Sequence, residues 1–344
     1  MNKKKTVWLL LPLLLLAGAC AKDNSLSTGE KARLQLVDWM ARNHPGVQPL
    51  ESGIYLLENE PGSCLTAWSA DSTYTYLEVT IRALDGTVSS TTEEHWAKQL
   101  GTYSKGNYYG PRYMQAGSGV SYAGVDALLS GMRLGGSRTA IVPAWLLTTS
   151  RYDTQQQYID ACSGSAHSIY TVRLHSQNSD MVREEADSLR RYVTRHFGAK
   201  VQSSSYSEDA EADGSFYFLT DSSAFAGTAH VKRDSTYKLN YTGRLLNGQV
   251  FDTTDERTAK DAGIYSASKS YEPVSVYISS TLANTTIDGN TLITGFQGGL
   301  SLMYWKGQKA TVLFSSAHGY TTSGSGDAIP PYSPLLFELE LVND

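Results

Sequence analysis

The stretch Leu292-Ile293-Thr294-Gly295-Phe296-Gln297-Gly298-Gly299-Leu300-Ser301-Leu302-Met303 decides how the second half of the chain is read. Ile293, Phe296, Leu300 and Met303 recur at steps of three and four, the spacing of one helix face. Thr294 with Gln297 three residues on has the pattern of a capping box that opens that helix. On both sides the period changes to two. Leu239 and Tyr241, then Val274, Val276 and Ile278, then Val312 and Phe314, then Leu335, Phe337, Leu339 and Leu341 alternate as half-buried strands do. One short amphipathic helix among several antiparallel strands predicts a sheet wrapped over that helix, an α+β layout.

The same layout occurs twice. Tyr55 and Tyr217, Thr80 and Thr242, and Gly86 and Gly248 all stand 162 residues apart, and Gly124, Leu129, Met132 and Gly136 precede Gly295, Leu300, Met303 and Gly307 by 171. The chain therefore reads as a tandem pair of domains. A helix precedes each copy, marked by Ala32, Leu36, Val37 and Met40 and then by Val182, Ala186, Leu189 and Val193. A Ser- and acid-rich linker follows the second of these helices over 203–213.

With 344 residues, 41% of them hydrophobic, the chain can bury a sizeable core. Its net charge is −5, and Lys3, Lys4 and Lys5 belong to the N-terminal segment, so the rest is more acidic still. That balance argues against nucleic acid as a partner. Lys3-Lys4-Lys5, an apolar run from Val7 to Leu16, and Ala17-Gly18-Ala19-Cys20 follow one another as a secretory signal does. Cys20 directly after small residues resembles a bacterial lipobox, with Ala17 where an aliphatic residue is usual. The expectation is a lipid on Cys20, membrane attachment through it, and a cell-envelope location outside the cytoplasm. Cys64 and Cys162 remain, and export leaves two states open: a disulfide, worth roughly 4 to 5 kcal/mol in the chain-entropy model, or two free thiols. The cysteines and the seven histidines show no metal-site spacing. Ser266-Ala267-Ser268-Lys269 matches a Ser-x-x-Lys pattern but has no Lys-Thr-Gly partner, so it reads as coincidence.

Across 237–342 the second copy resembles the FKBP-type peptidyl-prolyl cis-trans isomerases. The resemblance rests on Tyr241-Thr242-Gly243, Asn247-Gly248 and Val250-Phe251-Asp252-Thr253-Thr254. It continues through Leu292-Ile293-Thr294-Gly295-Phe296, Gly299-Leu300, Lys306-Gly307-Gln308-Lys309, Gly319-Tyr320, Ile329-Pro330-Pro331 and Leu335-Leu336-Phe337-Glu338-Leu339. It implies two tandem FKBP-like domains and a catalytic set of Tyr241, Phe251, Asp252, Ile293, Phe296, Tyr320 and Phe337. Val274, Leu292 and Ile329 are implied as substrate-binding walls. Phe296 stands where the family commonly has Trp, and His318-Gly319-Tyr320-Thr321 replaces the usual Tyr-Ala-Tyr-Gly. The segments 254–271 and 279–290 are longer than simple turns, so either is expected to cover or extend the groove.

The chemistry asks for such a site on its own terms. Rotation about an X-Pro amide crosses about 18 to 20 kcal/mol because the twisted amide loses resonance. No nucleophile and no cofactor is needed. An apolar, aromatic hollow disfavours the planar, charge-separated form, and a few placed donors hold the flanking carbonyls.

In the first copy Val79 stands for Tyr241, Ser89 for Phe251, Ser90 for Asp252 and Val125 for Phe296, so this copy is expected to be inert. It is expected to serve as a docking surface, a homo-oligomer contact or a client-binding face. The full expectation is a signal over 1–19, a lipidated tether over 20–30 and a degenerate domain over 31–178, then a connector helix and linker over 179–213 and an isomerase domain over 214–344. Its partners would be proline-containing unfolded or exported polypeptides. The alternative is a noncatalytic peptide-binding or chaperone lipoprotein.

Overall fold

The computed structural model describes residues 26–69, 74–117, 119–206, 213–221 and 229–342, so the signal segment, Cys20 and most of the expected tether lie outside the described residues. The end of that tether is helical. Helix α1 (Thr28–Asn43) starts early because the Ser27 side chain accepts from the Glu30 N–H. Ala32, Leu36 and Met40 form its buried stripe, whereas Val37 is nearly half exposed and lies off it.

The first domain continues with β1 (Tyr55–Glu60), β2 (Tyr74–Ala83), β3 (Val88–Thr91), α2 (Glu94–Gln99), β4 (Arg112–Gln115), α3 (Ala123–Leu129), β5 (Ser137–Val142), α4 (Gln155–Ala161) and β6 (Ser168–Asn178). Its strands run in the order β1-β5-β6-β2-β3, with β4 also on β2. The connector helix α5 (Met181–Phe197) leads into β7 (Phe216–Leu219), β8 (Ser235–Leu245), β9 (Val250–Thr253), α6 (Glu256–Ala262) and β10 (Val274–Ile278). Then come β11 (Thr286–Ile287), β12 (Asn290–Thr291), α7 (Thr294–Ser301), β13 (Lys309–Phe314) and β14 (Leu335–Leu341). The order β12-β11-β10-β8-β14-β13-β7, with β9 on β8, repeats the first sheet strand for strand and adds the β11–β12 hairpin at its edge. All these pairings are antiparallel.

The repeat extends to single hydrogen bonds. Thr80 and Thr91 share a hydroxyl bond of 2.8 Å, as do Thr242 and Thr253. The Val79 N–H donates to Thr92 Oγ1 at 3.0 Å and the Tyr241 N–H to Thr254 Oγ1 at 2.9 Å. Both copies break register at one residue, Ser89 in the first and Phe251 in the second, a bulge that turns the following side chain. The 171-residue offset does not reach Gly307, however. Gly135 and Gly307 share a positive φ, and the bond from Leu174 N–H to Gly136 O corresponds to that from Leu341 N–H to Gln308 O. Gly307 therefore matches Gly135, one residue before the glycine expected.

Helix α7 lies against β13 because Gly295 has no side chain: a Cβ there would come within 2.4 Å of the Phe314 ring. Its start differs from the expected capping box. Ile293 is the N-cap and supplies no side-chain bond, while Gln297 is buried and donates to Ala283 O at 3.3 Å and Thr285 O at 3.0 Å. A box of that kind is made by Thr154 and Gln157 at the start of α4.

Alternation along β13 and β14 buries both faces of the second sheet. Val312, Phe314 and Phe337 join the cluster around Phe296 and Leu300, while Leu313 and Leu336 pack with Leu189 and Val193 of α5. Met181, Glu185 and Ala186 complete the buried side of α5; Val182, expected there, is 73% exposed. The linker is anchored at its start. Ser204 N–H donates to Phe216 O at 2.9 Å, and the Tyr206 ring packs edge-on against Phe216. Cys64 and Cys162 are both free thiols, and the Cys162 Sγ donates to Gly164 O at 3.1 Å. No described helix is long and apolar enough to cross a membrane.

Candidate functional site

The second domain holds a hollow of about 430 Å3 where β8, β9, β14, the start of α7 and the loop after β13 converge. Tyr241, Phe251, Asp252, Leu292, Ile293, Phe296, Tyr320, Ile329 and Phe337 all line it. These nine come from five stretches of sequence, and the sheet brings them together. Val274 does not line it; it pairs with Leu239 in the sheet and packs against the core beneath. The lining also includes Ile287, Thr291, Ser325 and Ala328. Ile287 and Thr291 belong to the β11–β12 hairpin, so the long 279–290 segment does extend the groove.

The aromatic floor is a set of edge-to-face rings. Phe296 meets Phe337 at 4.8 Å and Tyr241 at 5.6 Å, and Phe251 meets Phe337 at 5.5 Å, all near perpendicular. A glycine makes room for this. A Cβ at Gly243 would stand 2.5 Å from the Phe251 ring and 2.8 Å from Phe337. The first domain has Ile81 at the matching place and Ser89 for Phe251, so an aliphatic side chain occupies the position where the second domain admits a ring.

Asp252 sits at the rim. Its Oδ2 accepts from the Tyr241 hydroxyl at 2.7 Å, and its Oδ1 accepts from the Thr253 N–H at 2.9 Å and from Lys269. Lys269 lies in the long 254–271 segment, which thereby reaches the edge of the hollow. Burial, with the Asp252 charge adding to it, pushes the Tyr241 phenol far above its usual range. Burial, then Asp252, also raises Tyr320. Both phenols stay protonated at neutral pH and can act as donors. His318, next to Gly319 and Tyr320, faces away: its ring nitrogens bond the hydroxyls of Tyr206 at 3.0 Å and Ser215 at 3.2 Å. A wider trough of about 680 Å3 crosses the sheet nearby, with Thr242, Thr311, Glu338 and Glu340 among its lining and the Lys309–Glu340 ion pair along it. Its polar lining does not suit a proline ring.

The family model of FKBP-type peptidyl-prolyl cis-trans isomerases matches residues 227–342. The FK506-binding protein 1 of Rhizopus delemar is 31% identical over 116 residues, which are 34% of this chain and 86% of that protein. This chain belongs to the FKBP family. A probable FKBP-type peptidyl-prolyl cis-trans isomerase of Haemophilus influenzae is 31% identical over 113 residues, which cover 33% of this chain and 36% of the relative. The chain thus spans about a third of that curated relative. Among solved structures, FkpA from Escherichia coli is 24% identical and covers 47% of this chain and 62% of its own, with a TM-score of 0.29. The FKBP match falls on the second domain alone. The first domain nevertheless keeps a smaller hollow, about 250 Å3, at the corresponding place, lined by Val79, Val125 and Tyr170 with Tyr122 and Val120 at its mouth.

Proposed function

We propose that the second domain catalyses cis-trans isomerisation of X-Pro bonds in polypeptides. The observation that carries this reading is the convergence of Tyr241, Phe251, Phe296 and Phe337 with Asp252 and Tyr320 on one hollow. A prolyl ring seated against Phe296 and Phe337 leaves water, and with it the solvation that favours the planar amide. The Tyr320 hydroxyl and the Ile293 N–H, free at the helix start, hold the carbonyls that flank the twisting bond. Asp252 fixes the Tyr241 ring, which walls the pocket. Lowering the barrier by about 5 kcal/mol gives nearly four decades of rate. No proton or covalent bond changes hands. The test is acceleration of cis-trans exchange in an X-Pro peptide by the full chain, read by proton NMR. A rate equal to that in buffer overturns the assignment.

The substrates on this reading are exported polypeptides met in the cell envelope, where a lipid on Cys20 would tether the enzyme. Support for that location is the order Lys3-Lys4-Lys5, apolar run and Ala17-Gly18-Ala19-Cys20. Metabolic labelling with an acyl-chain probe, lost on Cys20→Ala, tests it. The apolar hollow between Val79 and Val125 favours a second role for the first domain: holding an apolar side chain of an extended client without isomerising it. Holding one part of a chain raises its local concentration at the neighbouring domain.

A further inference from the structure

We propose that the 104–111 loop of the first domain is a positioning element of the isomerase pocket, gripping from behind the flap that carries Tyr320, Ser325, Ala328 and Ile329, with Tyr108 as its positioning residue. The inference rests on the isomerase reading of the second domain.

The flap needs an external hold. Between β13 and β14 its regular structure is limited to a short 3₁₀ turn and one bridge, Ser325 with Ile329, where each N–H donates to the other's carbonyl at 2.8 and 3.1 Å. Backbone geometry at its base is unusual: Thr321 and Tyr332 both have positive φ, 53° and 57°, and the Tyr332 N–H closes the base on Thr321 O at 3.0 Å. A segment of this kind keeps its side chains in place only when its surroundings constrain it.

The first domain supplies that constraint at three points. The Tyr108 N–H donates to Asp327 O at 2.7 Å, directly before Ala328 and Ile329 of the pocket lining. The Tyr108 ring packs against the hydrophobic cluster of the second domain. The Tyr332 ring, three residues after Ile329, stands edge-on to Tyr74 at 5.1 Å and Tyr113 at 6.3 Å, both on the first sheet. The loop is stiffened from within: the Tyr108 hydroxyl donates to Pro111 O at 2.9 Å, and Arg112 Nη2 donates to Tyr108 O at 2.9 Å.

The same loop reaches the opposite rim. Gln249 Nε2 donates to Gly106 O at 3.0 Å. A side chain on Gly106 would collide with Ile264, and one on Gly263 with Lys105. Gly263 and Ile264 open the segment that brings Lys269 to Asp252. One loop of a domain without the aromatic set thus touches both walls of the neighbouring pocket.

The experiment compares the full chain with Tyr108→Ala, Tyr108→Phe and Gln249→Ala. It reads X-Pro exchange rates at low temperature together with amide hydrogen exchange. Tyr108→Ala is expected to lower kcat/KM by roughly tenfold through loss of preorganisation. The same variant should speed exchange at Ser325, Ile329 and Tyr332 and leave the β14 amides unchanged. Tyr108→Phe, which keeps the ring and the N–H but loses the hydroxyl bond to Pro111 O, should fall between wild type and Tyr108→Ala on both readouts. Gln249→Ala, which removes one bond, should move both readouts in the same direction by about twofold, and it keeps the test available if Tyr108→Ala does not fold. An active wild type with unchanged rates and unchanged flap exchange in the variants overturns the proposal. An inactive wild type overturns the isomerase reading, and flap exchange then still decides whether the grip exists.

Discussion

The Tyr241 hydroxyl lies 2.7 Å from Asp252 Oδ2, and Lys269 holds the other oxygen of the same carboxylate. A strand residue, the residue that follows the bulge and a long loop are thereby joined at the mouth of one apolar hollow. Asp252→Ala releases both partners, so the Tyr241 ring loses its orientation and the rim its ion pair. The expected result is a fall in kcat/KM of roughly tenfold or more. The melting temperature should change little, since the Asp252 side chain is 41% exposed and exposed ion pairs contribute little to stability. Unchanged turnover in a folded variant would remove Asp252 from the site.

Gly243 is a position where activity and packing are coupled. An alanine there puts a methyl group 2.5 Å from the Phe251 ring, so the ring must leave its place against Phe337. Gly243→Ala should cost about 1 to 3 kcal/mol, the range for an overpacked core, and should reduce isomerase activity to the level of Phe251→Ala. Kinetics of both variants beside urea unfolding check this. Full activity in Gly243→Ala would mean that Phe251 does not need its present seat.

Phe337 carries both pocket and core. It is 4% exposed and meets Tyr241, Phe251, Phe296 and Phe314, so Phe337→Ala should cost about 3 to 5 kcal/mol and abolish turnover together. Chemical denaturation measures the first effect and exchange NMR the second. A stable, inactive variant would show that the ring serves the substrate more than the fold.

Glu185 of α5 gives a pH dependence. Its carboxylate accepts from the Ser316 N–H at 2.5 Å and from the Ser316 hydroxyl at 2.7 Å, yet burial dominates and raises its pKa above the usual 4.5. A carboxyl raised on folding binds its proton more tightly in the folded state. Its stabilisation is complete below the unfolded pKa and is lost as pH rises through the folded one. Glu185→Gln, which keeps an acceptor for Ser316, should therefore gain on wild type between pH 4 and pH 7.5. Denaturation at both values tests this. A variant weaker than wild type only at pH 7.5 would show that the charged form is the stabilising one.

The first domain's hollow can be tested apart from catalysis. Val120 lies at its mouth and is 50% exposed, so Val120→Glu places a charge there at little cost to the fold. Suppression of aggregation of a reduced, unfolded model protein should weaken, while X-Pro exchange stays at the wild-type rate. If both assays are unchanged, the hollow does not hold clients.

Local spacing alone established much of this protein. Alternation by two and turn glycines such as Gly86 and Gly248 are short-range properties, and they marked the strands, the tandem repeat and the helix over Gly295 and Phe296. Most of the pocket followed once the second copy was matched to its family. Other features depend on what a side chain meets from far along the chain. Gln297 has the spacing of a capping residue, but its side chain turns inward to the carbonyls of Ala283 and Thr285. Val37 and Val182 fit helical stripes that the packed helices leave exposed, and Val274 went to the core while Ile287 took a place in the lining. Nothing near Tyr108 in sequence points to Asp327. Residues more than 200 positions apart meet only because two sheets and a connecting helix are fixed relative to each other, and that long-range geometry is decided by tertiary packing rather than by any local pattern.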